Sequence, residues 1–188
     1  HESTHSYALI PNGKALNVRV EYKELQPETQ GFSFAKSVIE VQKFWNSWWE
    51  TGAFVDFGDC KDARAKELER RTVLSQYLTF INCANETPAQ ETGLTYNSWF
   101  GRPHLEMTWW HTIDFSLWNR PEVLETMLEW YNDKAYPEAK KIAERQNFKG
   151  IRWMKMTDPG AGEAPSSVGS FLIWQQPHLI YLAELLYR

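Results

Sequence analysis

From Trp99 to His111 the chain reads Trp-Phe-Gly-Arg-Pro-His-Leu-Glu-Met-Thr-Trp-Trp-His, which places one carboxylic acid, two imidazoles, one guanidinium and three indoles within thirteen residues. Gly101 and Pro103 bend the backbone just ahead of the acid. Ionisable and apolar groups interleaved this densely fit a pocket where an aromatic wall meets a few polar groups. Glu106 is the first candidate. A carboxyl among Met107, Trp109 and Trp110 is shielded from water, which suits a general acid. Its bland alternative is a structural acceptor for an indole N–H or for Arg102.

Trp99, Trp109, Trp110 and Trp153 are the expected walls, because indoles stack on sugar faces and flat ligands as well as filling cores. His104, Glu106 and His111 could be read as a metal set. The zinc helix motif, however, spaces its two His at i and i+4 with a Glu between, whereas these are seven apart behind Pro103, so no metal is expected. Glu163 is the second acid, in a loop of small residues between Gly162 and Pro165. It is either an exposed loop acid or a substrate ligand, and Asp56 and Glu91 have the same status. Two carboxylates about 6.5–9.5 Å apart would serve an inverting glycoside hydrolase. Asn97, Arg152, Lys155, Gln175, Gln176 and His178 carry the hydrogen-bonding groups that read sugar hydroxyls; adjacent Gln residues before a Pro also anchor loops. No nucleophile elbow, phosphate-binding Gly loop or dinucleotide fingerprint occurs, and no cofactor is expected.

These residues need elements to position them. A chain of 188 residues suits one domain with a substantial core, and its 10 Trp, 8 Tyr and 10 Phe supply much of it. The net charge of −4 argues against a nucleic-acid partner. No apolar run reaches the roughly 20 residues of a bilayer span, so no membrane is expected. The start, His1-Glu2-Ser3-Thr4-His5, has neither an initiator Met nor a leader, and the expectation is a mature form or a piece of something longer. Cys60 and Cys83 lack metal-site spacing, and a disulfide between them is left open.

Tyr7–Ile10 and the strictly alternating Leu16–Tyr22, joined through Pro11-Asn12-Gly13, read as a β-hairpin, followed by a polar linker to Gly31. From Phe32 the period becomes helical. Phe34, Val38, Val41, Trp45 and Trp48 predict a helix ending near Gly52. A second helix is expected from an Asp62 cap, with Leu68, Leu74 or Leu78, and Ile81 facing the core. Residues 85–106 form a long irregular loop too rich in aromatics to be disordered. A short helix is expected over 107–118. An Asn119 cap with Pro121 opens a long one, its buried stripe being Leu124, Leu128, Tyr131, Ala135, Ala139 and Ile142. A second irregular loop spans 152–167, and a last helix starts near Gln175–His178. Polar and aromatic residues thus collect in two loops and at the helix starts that follow, which predicts a site at one end of the helices.

Four segments carry a resemblance: Gln90 to Trp99, His104 to His111, Gly150-Ile151-Arg152-Trp153 through Glu163, and Trp174-Gln175-Gln176-Pro177-His178. In this order they resemble the six-hairpin glycosidase superfamily, above all secreted glycoside hydrolases of polysaccharide-degrading microbes that are similar to the family of the maltose and trehalose phosphorylases. The resemblance covers roughly residues 32–188. It implies an (α/α)6 toroid behind a β-sandwich domain, with residues 1–31 as the tail of that sandwich or its linker, and inverting action on α-linked or related glycosides outside the cytoplasm, in an extracellular or periplasmic setting. The family's toroid has twelve helices and about five are read here, so the resemblance implies a partial catalytic domain. The usual general acid lies after the Gln-x-His helix, beyond Arg188, which would leave Glu106 as a substrate-binding acid. Apolar helix faces left open would be covered by the remainder of the enzyme or by self-association. A disaccharide phosphorylase and a non-catalytic carbohydrate-binding module are the rival expectations.

Overall fold

A computed structural model describes residues 5–16, 18, 20, 33–169 and 171–188. Among them the regular structure is helical throughout, with no strand. Tyr7 to Ile10, expected as a strand, carries none, and the second expected strand falls partly outside the described residues. The chain divides into two compact units, His1–Glu50 and Thr51–Arg188. The first predicted helix therefore belongs with the N-terminal segment.

In the first unit, α1 runs Phe34–Glu50. Ser33 opens it by accepting the Lys36 N–H on its hydroxyl at 3.3 Å, an N-cap contact that satisfies one free helix donor. The three- and four-residue spacing of Trp45, Trp48 and Trp49 brings their rings 5.9–6.5 Å apart, and Trp48 is buried.

The second unit holds α2 (Ala65–Cys83), α3 (Thr108–Leu117), α4 (Pro121–Trp130), α5 (Tyr136–Arg145) and α6 (His178–Tyr187). Helix α3 is central, touching α2, α4 and α6, and α4 also touches α6. Pro121 occupies the first turn of α4, where its missing N–H costs nothing. The single long helix expected after Asn119 is instead α4 and α5 joined by a π turn, Tyr131–Ala135. Pro137 explains the change: it has no N–H for the Asp133 carbonyl and its ring would strike that group in a regular helix, so the backbone widens one turn earlier. The expected stripe survives the interruption, with Leu124, Tyr131, Ala135, Ala139 and Ile142 all buried. Around it gather Leu105, Met127, Trp130, Trp153, Met154 and Ala161.

Three local expectations are corrected. Leu68, Leu74, Leu78 and Ile81 of α2 are exposed. The helix instead buries Ala65, Gln76 and Cys83 and sets Phe80 edge-on to Phe115 of α3 at 6.4 Å. At 100° per residue Leu74, Leu78 and Ile81 lie roughly opposite that side. Asp62 does not cap α2; its carboxylate accepts the Arg64 N–H at 2.8 Å and pairs with the Arg64 guanidinium. Asn119 takes a left-handed φ of 55° just before α4, and no side chain caps that helix. Cys60 and Cys83 are both free thiols.

Candidate functional site

Two irregular segments meet at Lys155. Residues 103–106 run against 155–157 in a short antiparallel contact: Thr157 N–H donates to the Pro103 carbonyl at 2.9 Å, Glu106 N–H to the Lys155 carbonyl at 3.1 Å, and His104 faces Met156. On the other side His104 N–H donates to the Ala89 carbonyl at 2.9 Å. This backbone frame sets the side chains of His104, Glu106 and Lys155 together.

The Lys155 ammonium lies 3.3 Å from Glu106 Oε2, and His104 Nε2 lies 3.6 Å from the same oxygen. The ammonium also stands 3.7 Å above the centroid of the Trp99 ring, itself 6.1 Å from the His104 ring. Lys155 is only 5% exposed. A lysine this deep is held by a counter-charge, here Glu106, with the face of an indole as a second stabilising contact. Glu106 keeps the outlet to solvent, its side chain being 15% exposed.

His104 is wholly buried, and neither ring nitrogen makes a hydrogen bond of good geometry. Burial, followed by the charge of Lys155, pushes its imidazole down to about 4 against the opposing pull of Glu91, so it is neutral at pH 7. Burial also lowers His111 and His178. Both are tied to backbone: His111 Nε2 donates to the Glu91 carbonyl at 3.0 Å and His178 Nδ1 to the Leu105 carbonyl at 3.3 Å.

Of the two readings open for Gln175 and Gln176, hydroxyl recognition and loop anchoring, the hydrogen bonds show the second: both amides hold the backbone of Trp153. Gln176 accepts the Trp153 N–H at 2.8 Å and donates back to its carbonyl at 2.7 Å, while Gln175 donates to that carbonyl at 3.3 Å and to Leu172 at 3.0 Å. Trp153 is buried, edge-on to Tyr131 at 5.2 Å. The Tyr131 hydroxyl donates to Thr108 at 3.0 Å, and burial pushes its pKa well up. Trp110 is half exposed with its ring edge-on to His178 at 5.8 Å, and Trp109 packs between Trp110 and Tyr181. Asn97 is exposed on the first loop. Arg152 is half-buried, its backbone N–H donating to Ala139 at 3.0 Å. Asp56 turns its carboxylate onto Gly58 within its own loop.

A cleft of about 580 Å³ opens beside Lys155, lined also by Arg145, Gln146, Glu163, Ser166 and Ser167. Glu163 is paired with Arg145 at 2.6 Å. The two acids singled out by sequence are thus both ion-paired and both tied to Lys155: Glu106 touches it and Glu163 shares its cleft. Arg145, Gln146, Ser166 and Ser167 were not expected in a site. Arg145 has one local signal, a basic residue in the last turn of α5, which reads equally well as a contact to the helix dipole. Among the described residues no group of three His, Cys, Asp or Glu side chains is arranged to hold a metal ion, and no helix is long and apolar enough to cross a membrane.

The turn carrying Trp99 is strained. Trp99, Phe100 and Gly101 take φ of 46°, 62° and 67° in succession. For a bulky L-residue the left-handed region costs roughly 1–2 kcal/mol. Hydrogen bonds hold it: Gly101 N–H to the Ser98 carbonyl at 3.0 Å, Ser98 N–H to Gln90 at 3.3 Å, and the hydroxyls of Ser98 and Thr92 at 3.0 Å. No protein-family model, no curated protein and no solved structure matches this chain.

Proposed function

We propose that the chain is part of a glycoside hydrolase of the six-hairpin type, with residues 32–188 forming a portion of an (α/α)6 toroid and residues 1–31 the end of an upstream β-sandwich or its linker. The observation that carries this reading is the Lys155–Glu106 pair beside Trp99: a carboxylate and an ammonium next to an aromatic face can share the hydroxyls of one sugar ring while the indole covers its C–H face. Glu163, in the cleft that Lys155 also lines, supplies a second carboxylate. The reaction is inversion, in which one carboxylic acid protonates the glycosidic oxygen and another carboxylate activates water. Glu106, engaged by Lys155, serves the ligand's hydroxyls, and a further acid from the rest of the enzyme completes the proton transfer.

A disaccharide phosphorylase is the second reading. The cleft joins Arg145 and Lys155 with the hydroxyl-bearing Ser166 and Ser167; both cations are paired with carboxylates, so inorganic phosphate, in replacing water, would have to displace Glu163 from Arg145. The unit also exposes Phe171, Ile180 and Tyr187, at 80%, 73% and 88%. Apolar surface of this kind fits coverage by the remainder of the enzyme or by a second copy, and the reading places the protein outside the cytoplasm.

The test assays wild type, Glu106→Gln and Glu163→Gln against a broad glycan panel, with and without phosphate. Turnover abolished by either substitution supports catalysis, and dependence on phosphate selects the phosphorylase. Sugar binding without turnover that either substitution weakens is the result expected of a partial enzyme whose proton donor lies elsewhere, and sugar binding that neither substitution weakens supports a binding module. Neither binding nor turnover sinks the sugar reading.

A further inference from the structure

Phe100 is 85% exposed and yet held at a φ of 62°. Strain of this kind in a core is offset by the packing it permits, but a ring this exposed buries almost nothing of its own. The hydrogen bonds of Gly101, Ser98 and Gln90 hold the strained turn, and strain maintained in this way clusters at ligand sites. The turn sends its two rings to different tasks. Trp99 lies against the Lys155 ammonium at 3.7 Å and is still 42% exposed, so it belongs to the inner cluster and to the surface at once. Phe100 follows it directly in the chain, and Tyr96 and Leu94 are exposed on the same loop at 65% and 76%. The rings alternate with exposed polar groups, Thr95 and Asn97. Aromatic faces set among amide and hydroxyl groups suit a chain of sugars, which offers C–H faces and hydroxyl rims by turns; a protein partner would favour an unbroken apolar centre.

We propose that the Trp99–Phe100 turn is an outer sugar subsite, with Phe100 as its stacking platform, and that the ligand is an oligosaccharide running outward from the Lys155–Glu106 cluster. This rests on the sugar reading of that cluster. Titration calorimetry on the full chain would compare wild type, Phe100→Gly and Phe100→Trp, using α- and β-linked gluco-, xylo- and manno-oligosaccharides of one to about six units. Glycine accepts the left-handed backbone, so Phe100→Gly removes the ring while keeping the turn. Wild-type affinity should rise with chain length, and Phe100→Gly should lose about tenfold for the longer ligands with no change for mono- and disaccharides. Phe100→Trp should restore the length dependence. Wild type that binds short sugars with no gain on lengthening overturns the outer subsite and leaves the inner site standing. A Phe100→Gly protein that keeps the length dependence overturns it too. Wild type that binds no sugar of any length overturns both.

Discussion

Replacing Lys155 by Met tests the cluster most directly. The ammonium sits 3.3 Å from Glu106 Oε2; at an effective dielectric of 20 that separation corresponds to about 5 kcal/mol of attraction before desolvation is subtracted. Removing one member of a buried pair costs roughly 3–5 kcal/mol, because the other charge is left without a partner. Glu106 retains some solvent access, so Lys155→Met should cost about 3 kcal/mol in urea unfolding at pH 7 and low salt. Glu106→Gln should cost at least as much, since it strands the more deeply buried ammonium. The double variant should fall short of the sum by about 2 kcal/mol or more. His104 gives an independent readout. Lys155 is among the charges that hold its imidazole down near 4, so Lys155→Met should move the His104 titration upward in an NMR pH series. Additive single effects, or an unmoved His104, would refute the cluster as drawn.

Other consequences can be checked separately. His104 is neutral when folded down to about pH 4, whereas the unfolded chain takes up its proton near the ordinary value of 6.5. Its contribution is therefore undiminished above pH 6.5 and lost as pH falls toward 4, by about 3 kcal/mol in all; His104→Gln should flatten stability across that window, and an unchanged slope would argue against a buried neutral imidazole. Gly52 has a φ of 74°, and a Cβ there would strike the Arg120 guanidinium and stand 2.8 Å from the Trp118 carbonyl. Gly52→Ala should thus lower the melting temperature by several degrees, and a neutral effect would contradict that packing. Arg145→Ala should change global stability by less than about 1 kcal/mol while speeding amide exchange at Gly162–Ala164, because it releases Glu163; unaltered exchange would show that the pair does not hold the loop. If the exposed α6 surface mediates self-association, wild type should sediment faster with rising concentration and Ile180→Lys should abolish the trend.

The helical architecture was legible because periodicity is repeated many times over. The stripe from Leu124 to Ile142 recurs over five turns, and one π turn at Tyr131–Ala135 does not erase it. What sequence could not give was the choice between two sides of one helix. In α2 the leucines at 74 and 78 outweigh Gln76 in hydropathy, yet Gln76 is the residue buried. That outcome depends on which neighbour the helix meets, and α3 arrives on the side bearing Ala65, Phe80 and Cys83. Caps failed for a related reason: Asp62 had a stronger local partner in Arg64 than the helix N-terminus could offer.

The candidate site divides along the same line. Residue types drew attention to the segments that bring His104, Glu106 and Lys155 together. Roles depended on partners far away in sequence. Gln175 and Gln176 read equally as hydroxyl readers or loop anchors, and both amides bond the peptide of Trp153. Arg145 carries no distinctive pattern in sequence, and its pairing with Glu163 gives it a place at the cleft. Lys155 was expected as one of several groups that read hydroxyls, and it meets Glu106 and Trp99 and lines the cleft with Glu163. A buried ammonium must be neutralised, so its position constrains Glu106 more tightly than Glu106 constrains itself. The strain at Trp99 and Phe100 extends the argument: the backbone bends against its own preference to keep one ring on that ammonium and the next ring in water.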